Sequence, residues 1–209
     1  MNLYLIRHGR QNSTLCNVDV PLAEEGKMQG DLLGKRLEKY HIDAIYSSDL
    51  LRAIETAKII NKHLGVTHVI KKELREISFG QLTGKSNDDI QKEFANFFRE
   101  QDKLINDIPY PGGENGEDVC NRMYPVIQNI AKSEYKNVVI VTHGNAIRAI
   151  LTKILGIEYS KKLLFANTLE NCSITQLKYV RRKDRFYLER LNDYAHLEDR
   201  EELLRKTWI

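Results

Sequence analysis

Long apolar runs are missing from this chain. No stretch approaches the roughly 20 residues needed to span a bilayer, so no membrane partner is expected. The amino terminus runs straight into a strand-like segment, without the basic region and small-residue cleavage site of a secretory signal. Cysteine is scarce: Cys16, Cys120 and Cys172 are odd in number and show no Cys-x-x-Cys spacing. Reduced thiols in a cytoplasmic protein are the expectation. A strong excess of one charge is also absent. Lys and Arg total 32 against 29 Asp and Glu, and a net +3 is too small to argue for nucleic acid. No linker or low-complexity tract marks a second domain, and 209 residues suit one domain, 1–209, with a full core.

What is present is alternation. Strand-like runs (Leu3–Ile6, Ile42–Tyr46, Val66–Ile70, Val138–Thr142) alternate with helical patterns. Gly30, Leu33, Leu37 and Tyr40 share one helical face; Ala53, Ala57, Ile60 and Leu64 share another; Ile147, Ile150, Leu151 and Ile154 a third. Ser47-Ser48-Asp49 offers N-cap residues for the second of these helices. Two late strands, Cys172–Tyr179 and Phe186–Leu191, flank a polar turn. Repeated βα units predict an α/β protein: a three-layer α/β/α sandwich with a mostly parallel central sheet. The stretch from about 80 to 116 carries no strand signal and is partly helical, and is read as an inserted lid. Residues 197–209 are read as a helical tail facing solvent.

Two phrases of this chain match. Leu3-Tyr4-Leu5-Ile6-Arg7-His8-Gly9 and Val138-Val139-Ile140-Val141-Thr142-His143-Gly144 each run from a buried-strand pattern into His-Gly. Open parallel sheets place ligands at the carboxyl ends of their strands, so both imidazoles are expected at one rim. A neutral imidazole, His8, is a good nucleophile toward phosphorus, and the Arg7 guanidinium can hold two phosphate oxygens. Arg52 sits in the first turn of its helix, against the macrodipole, which makes sense if an anion lies in front. Glu76 can protonate a leaving alkoxide if burial or anionic charge keeps its proton on. His143, if protonated, adds a third cation. Gly112-Gly113-Glu114 is read as bringing backbone donors to the pocket rim. Singly each feature has a bland alternative: a capping histidine, an exposed arginine, a surface carboxylate paired with Arg75, an ordinary turn.

Taken in order, these residues resemble the histidine phosphatase superfamily, the phosphoglycerate mutase-like proteins. The likeness runs from Arg7-His8-Gly9 through Ser47-Ser48-Asp49-Leu50-Leu51-Arg52-Ala53, Leu74-Arg75-Glu76 and Phe79-Gly80 to Gly112-Gly113-Glu114 and Thr142-His143-Gly144-Asn145. It implies that His8 is the phosphorylated nucleophile, that Arg7, Arg52 and His143 bind the phosphoryl group, and that Glu76 is the proton donor. It implies no metal and no cofactor. Gly9, Arg10, Gln11, Thr14, Gly144, Asn145 and Asn171 complete the expected substrate-binding set.

Departures choose the branch. Where mutases carry Glu-Ser and then Asn, this chain has Arg10, Gln11 and Thr14, with Asn12 nearby. Their tyrosine three residues after the glutamate is Phe79, and the insertion has Arg99 and Lys103 in place of paired arginines. The expectation is a phosphomonoesterase acting on a small phosphate ester. The alternatives are a cofactor-dependent phosphoglycerate mutase, a non-catalytic phospho-ligand binder and, against the repulsion of Arg7 and Arg52, a metal site. The physiological substrate and oligomeric state are not legible.

Overall fold

The computed structural model describes residues 1–205. Six strands form one sheet: β1 (Asn2–Arg7), β2 (Ala44–Ser47), β3 (Thr67–Ile70), β4 (Asn137–Thr142), β5 (Ile174–Val180) and β6 (Arg185–Asp193). Their order is β3-β2-β4-β1-β5-β6. The first four strands of that order run parallel, and β5 and β6 complete the sheet antiparallel. Val138 to Val141 are fully buried, as an apolar run covered on both faces demands.

Helices α1 (Glu24–Leu37) and α2 (Leu51–Leu64) cover one face of the sheet. They pack Leu33, Leu37, Ala53, Ala57 and Ile60 against Tyr4, Ile6 and Ile45. Helices α5 (Gly116–Ala131) and α6 (Gly144–Leu155) cover the other, packing Met123, Ile127, Ile147 and Ile150 with Leu3 and Leu5. Alternate residues of β1 thus serve two cores, and the three-layer α/β/α expectation holds. Between β3 and α5 lies the insertion, with short helices α3 (Asn87–Glu93) and α4 (Ala95–Gln101).

Three local expectations change. Helix α2 begins at Leu51 with no side-chain cap; Ser47, Ser48 and Asp49 are drawn to His68, His143 and Arg75 instead. Helix α5 was not legible: Pro125 lies in its middle, hiding an Asn115/Asp118 capping box and a stripe of Val119, Met123, Ile127 and Ile130. The tail is not one solvated helix but two 3-10 turns, Ala195–Leu197 and Glu201–Leu203, with Leu197 and Leu203 buried. Residues 206–209 of that expected helix lie outside the described residues.

No helix among the described residues is long and apolar enough to cross a membrane.

Candidate active site

Strands β1 and β4 are neighbours in register, Arg7 opposite Thr142. The His8 N–H continues the ladder to the Thr142 carbonyl at 3.0 Å, so the residues after both strands emerge together. Their imidazoles lie 5.0 Å apart, centroid to centroid, and both residues are buried.

The His8 tautomer follows from its partners. Nδ1 lies 2.7 Å from the Gly9 carbonyl, which can only accept, so Nδ1 carries the hydrogen and Nε2 keeps its lone pair. Arg52 Nε donates to that lone pair at 3.2 Å. Burial, then Arg52 and Arg7, push His8 well below the ordinary imidazole value, against the Gly9 carbonyl. The ring is therefore neutral at neutral pH, its unprotonated Nε2 accepting from Arg52.

Those guanidiniums are held from behind. Arg7 Nη1 donates to the Leu169 carbonyl, and burial lowers its pKa only to about 10, so it stays charged. Arg52 is braced by Asn17 Oδ1 at 2.7 Å and the Val18 carbonyl at 3.0 Å. Asn17 was not singled out from sequence; it stands at φ 46°, the left-handed region that asparagine tolerates.

His143 differs from expectation. Burial, with His8, Arg52 and Arg7 around it, pushes it well below the usual value, so it is neutral rather than a third cation. Ser48 Oγ lies 2.8 Å from its Nε2 and accepts the Leu50 N–H at 3.4 Å. Where the serine gives its own hydrogen to Nε2, the imidazole hydrogen stands on Nδ1. Nδ1 is buried with no partner among the described residues.

Glu76 enters from the segment after β3. Its Oε1 accepts the Ile77 and Ala146 N–H groups at 2.9 Å, and Oε2 accepts Asn145 N–H at 3.2 Å, at the N-terminus of α6. A residue missed in sequence holds this segment. Arg122 of α5 donates to the Glu73, Arg75 and Glu76 carbonyls at 2.6 to 2.9 Å and forks onto Glu114. Its signal was a lone arginine inside an unread helix.

Arg7, His8, Arg52 and Glu76 line one cavity of about 1270 Å³, with Arg10, Gln11, Thr14, Gly144 and Asn145 among its other walls. Four expected contributors are not among its walls: His143 is fully buried, and three more stand elsewhere. Gly9 packs on α1, where a Cβ would come 2.6 Å from the Gly26 carbonyl oxygen; its lack of a side chain serves helix packing, not phosphate approach. Asn171 is fully buried behind the site, donating to the His8 carbonyl at 2.7 Å and accepting from Arg205 Nε at 3.0 Å. Gly112-Gly113-Glu114 backs the Glu76 segment, with Glu114 bonded to Ser78 and Arg122, and does not reach the rim. The tail supplies cavity residues that sequence assigned to solvent: Glu202, Leu204 and Arg205. Arg10 binds it there, donating to the Leu203 and Leu204 carbonyls at 3.0 and 3.1 Å.

A family profile described as the histidine phosphatase superfamily (branch 1) matches residues 3–194. The chain belongs to that superfamily. It is 34% identical over 160 residues to a 2,3-bisphosphoglycerate-dependent phosphoglycerate mutase of Cytophaga hutchinsonii, covering 71% of this chain and 75% of that one. Among solved structures it resembles a mycobacterial glucosyl-3-phosphoglycerate phosphatase bound to inorganic phosphate (26% identity, TM-score 0.83, 93% of this chain and 98% of that one). It also resembles Bacillus stearothermophilus YhfR (28% identity, TM-score 0.82, 94% and 99%). These relatives thus include a phosphatase and a mutase.

Proposed function

We propose that this protein is a phosphomonoesterase that hydrolyses a small phosphorylated metabolite through a phosphohistidine on His8. The observation that carries the reading is a buried, neutral His8 whose Nε2 carries no hydrogen and accepts from Arg52, at a cavity that Arg7, Arg52 and Glu76 also line. The ester's phosphoryl oxygens take the Arg7 and Arg52 donors, with Nδ1–H of neutral His143 as a further donor. Nε2 attacks phosphorus and the P–O bond to the leaving group breaks, that oxygen taking a proton from Glu76. Oε2, with its single longer hydrogen bond, is the oxygen suited to hand it over. Water then attacks the phosphohistidine, gives a proton back to Glu76, and the N–P bond breaks to release phosphate.

Hydrolysis is favoured over mutase chemistry by the insertion's cations. Arg99 bonds to Asn96 and Lys103 to Glu100, and neither lines the cavity to grip a phosphoglycerate carboxylate. The decisive experiment is a rapid quench with a radiolabelled ester under alkaline conditions. An acid-labile, base-stable phosphoprotein is expected in the native enzyme and none in His8→Asn, whose turnover falls by about 10³-fold or more. Full activity in a folded His8→Asn protein would sink the assignment. The same assays in excess chelator are expected to show unchanged rates, because the charge stabilisation comes from guanidiniums. Phosphate transfer between phosphoglycerates outpacing release of phosphate would favour the mutase instead.

A further inference from the structure

Five successive carbonyls, Phe165 to Leu169, each accept a hydrogen bond from a side chain. Arg148 of α6 serves the first three: Nε donates to Phe165 at 3.2 Å, and Nη2 to Ala166 at 2.9 Å and Asn167 at 3.1 Å. Asn192 Nδ2 donates to Thr168 at 2.9 Å. The fifth carbonyl, Leu169, accepts from Arg7 Nη1. Side chains, rather than a helix or a ladder, thus satisfy this strap and dictate its path.

The chain would not take that path unaided. Ala166 stands at φ 59°, in the left-handed region that a Cβ disfavours. Such strain persists only where the surroundings over-determine it, and Arg148 binds the carbonyl of Ala166 and those on either side. Asn192, itself at φ 53°, closes the other end by accepting the Glu170 N–H at 2.7 Å. Arg148 lines the cavity together with Asn167, Thr168 and Leu169. Its hydrogen bonds nevertheless go to the protein, the fourth running from Nη1 to Asn145 Oδ1 at 3.2 Å. The charges of Arg148 and Arg7 oppose each other. Carbonyl oxygens, the negative ends of peptide dipoles, join the two guanidiniums and offset that repulsion.

We propose that Arg148 is a positioning residue for the phosphate clamp: its fork holds the 165–169 strap in the path that sets the Leu169 carbonyl against Arg7. The proposal rests on the phosphomonoesterase reading, in which Arg7 binds the phosphoryl group, and adds to that site a residue acting through another.

The probe is inorganic phosphate, its binding to the full chain followed by calorimetry, where stoichiometry counts folded sites separately from affinity. Arg148→Lys keeps the charge and loses the fork, and its phosphate Kd is expected to rise about tenfold. The kcat/KM values for ethyl phosphate, glycerol 3-phosphate and 3-phosphoglycerate should fall by one common factor, since the damage lies at the shared phosphoryl group. Glycine takes left-handed backbone without the Cβ penalty. Arg148→Lys combined with Ala166→Gly is therefore expected to bind phosphate about threefold more tightly, or better, than Arg148→Lys alone. A lowered urea midpoint with phosphate affinity unmoved in Arg148→Lys would make Arg148 a structural prop and overturn the proposal. A loss confined to 3-phosphoglycerate would make it a contact for a second anion, and a double variant no tighter than Arg148→Lys would leave the strap without a role; either result overturns it as well. Phosphate binding that depends on Arg148, in a protein that hydrolyses no ester, would retain the strap and sink the phosphomonoesterase.

Discussion

At the residue scale the site is a set of assigned protons. His8 and His143 look equivalent as His-Gly phrases, yet their partners make them opposites. A carbonyl at His8 Nδ1 leaves a lone pair for attack; a hydroxyl that donates to His143 Nε2 leaves a hydrogen for donation. Ser48 is therefore a positioning residue. Ser48→Ala is expected to lower kcat about tenfold, the worth of one buried hydrogen bond. Nitrogen-15 spectra should show His143 shifting from one tautomer to a mixture, with Ser48→Thr restoring both. A single unchanged tautomer in Ser48→Ala would refute the assignment. The residue types Arg7, His8, Arg52, Glu76 and His143 were legible because phosphoryl transfer demands them. The neutral state of His143 was not, since it depends on burial beside other cations.

At the element scale, what was hidden in sequence is what holds Glu76 in place. Helix α5 escaped notice because Pro125 interrupts its pattern, and with it went Arg122, whose guanidinium gathers three carbonyls of the Glu76 segment. Arg122→Lys supplies one point charge where a planar fork is needed. Its kcat is expected to fall about tenfold to 100-fold, with KM changing less than threefold, as a misplaced proton donor would give. A KM effect with unchanged kcat would point to the substrate pocket instead. The far end of the insertion is tied by a buried ion pair, Lys162 to Asp107, whose other oxygen accepts the Gly116 N–H at 2.8 Å. Lys162→Met leaves that carboxylate without its cation and should cost about 3 kcal/mol in urea unfolding. The expectation that the tail is solvated failed for a related reason. Its charged side chains suggested solvent, but Arg10 and Gln29 bind its backbone carbonyls, and backbone partners leave no mark in composition.

At the scale of the whole molecule, gathering cations around buried imidazoles makes folding depend on pH. His8 and His143 lie well below their ordinary value, and His196, desolvated and near Arg36, is lowered to about 4. The unfolded chain takes up these protons near pH 6.5 while the folded protein does not. Stability is thus fully present above about pH 6.5 and drains as pH falls, by about 1.4 kcal/mol per pH unit for each such histidine. Urea midpoints at pH 7.5, 6.0 and 5.0 should drop steadily, and His8→Asn should flatten the slope. A midpoint constant across that range would contradict the neutral, buried assignment. Inorganic phosphate is expected to raise the midpoint, since it binds the folded site alone.

The sequence by itself determined the alternation of strands and helices, the strand-end location of both histidines and which polar residue types stand at those ends. Each follows from local periodicity or from what a reaction requires of a side chain. The tertiary structure decided which nitrogen of His8 is bare, that His143 is neutral, and that Gly9 and Asn171 support the site from outside it. Those properties are set by partners up to 163 residues away in the chain, as Asn171 is from His8. Only folding brings such groups within hydrogen-bonding range.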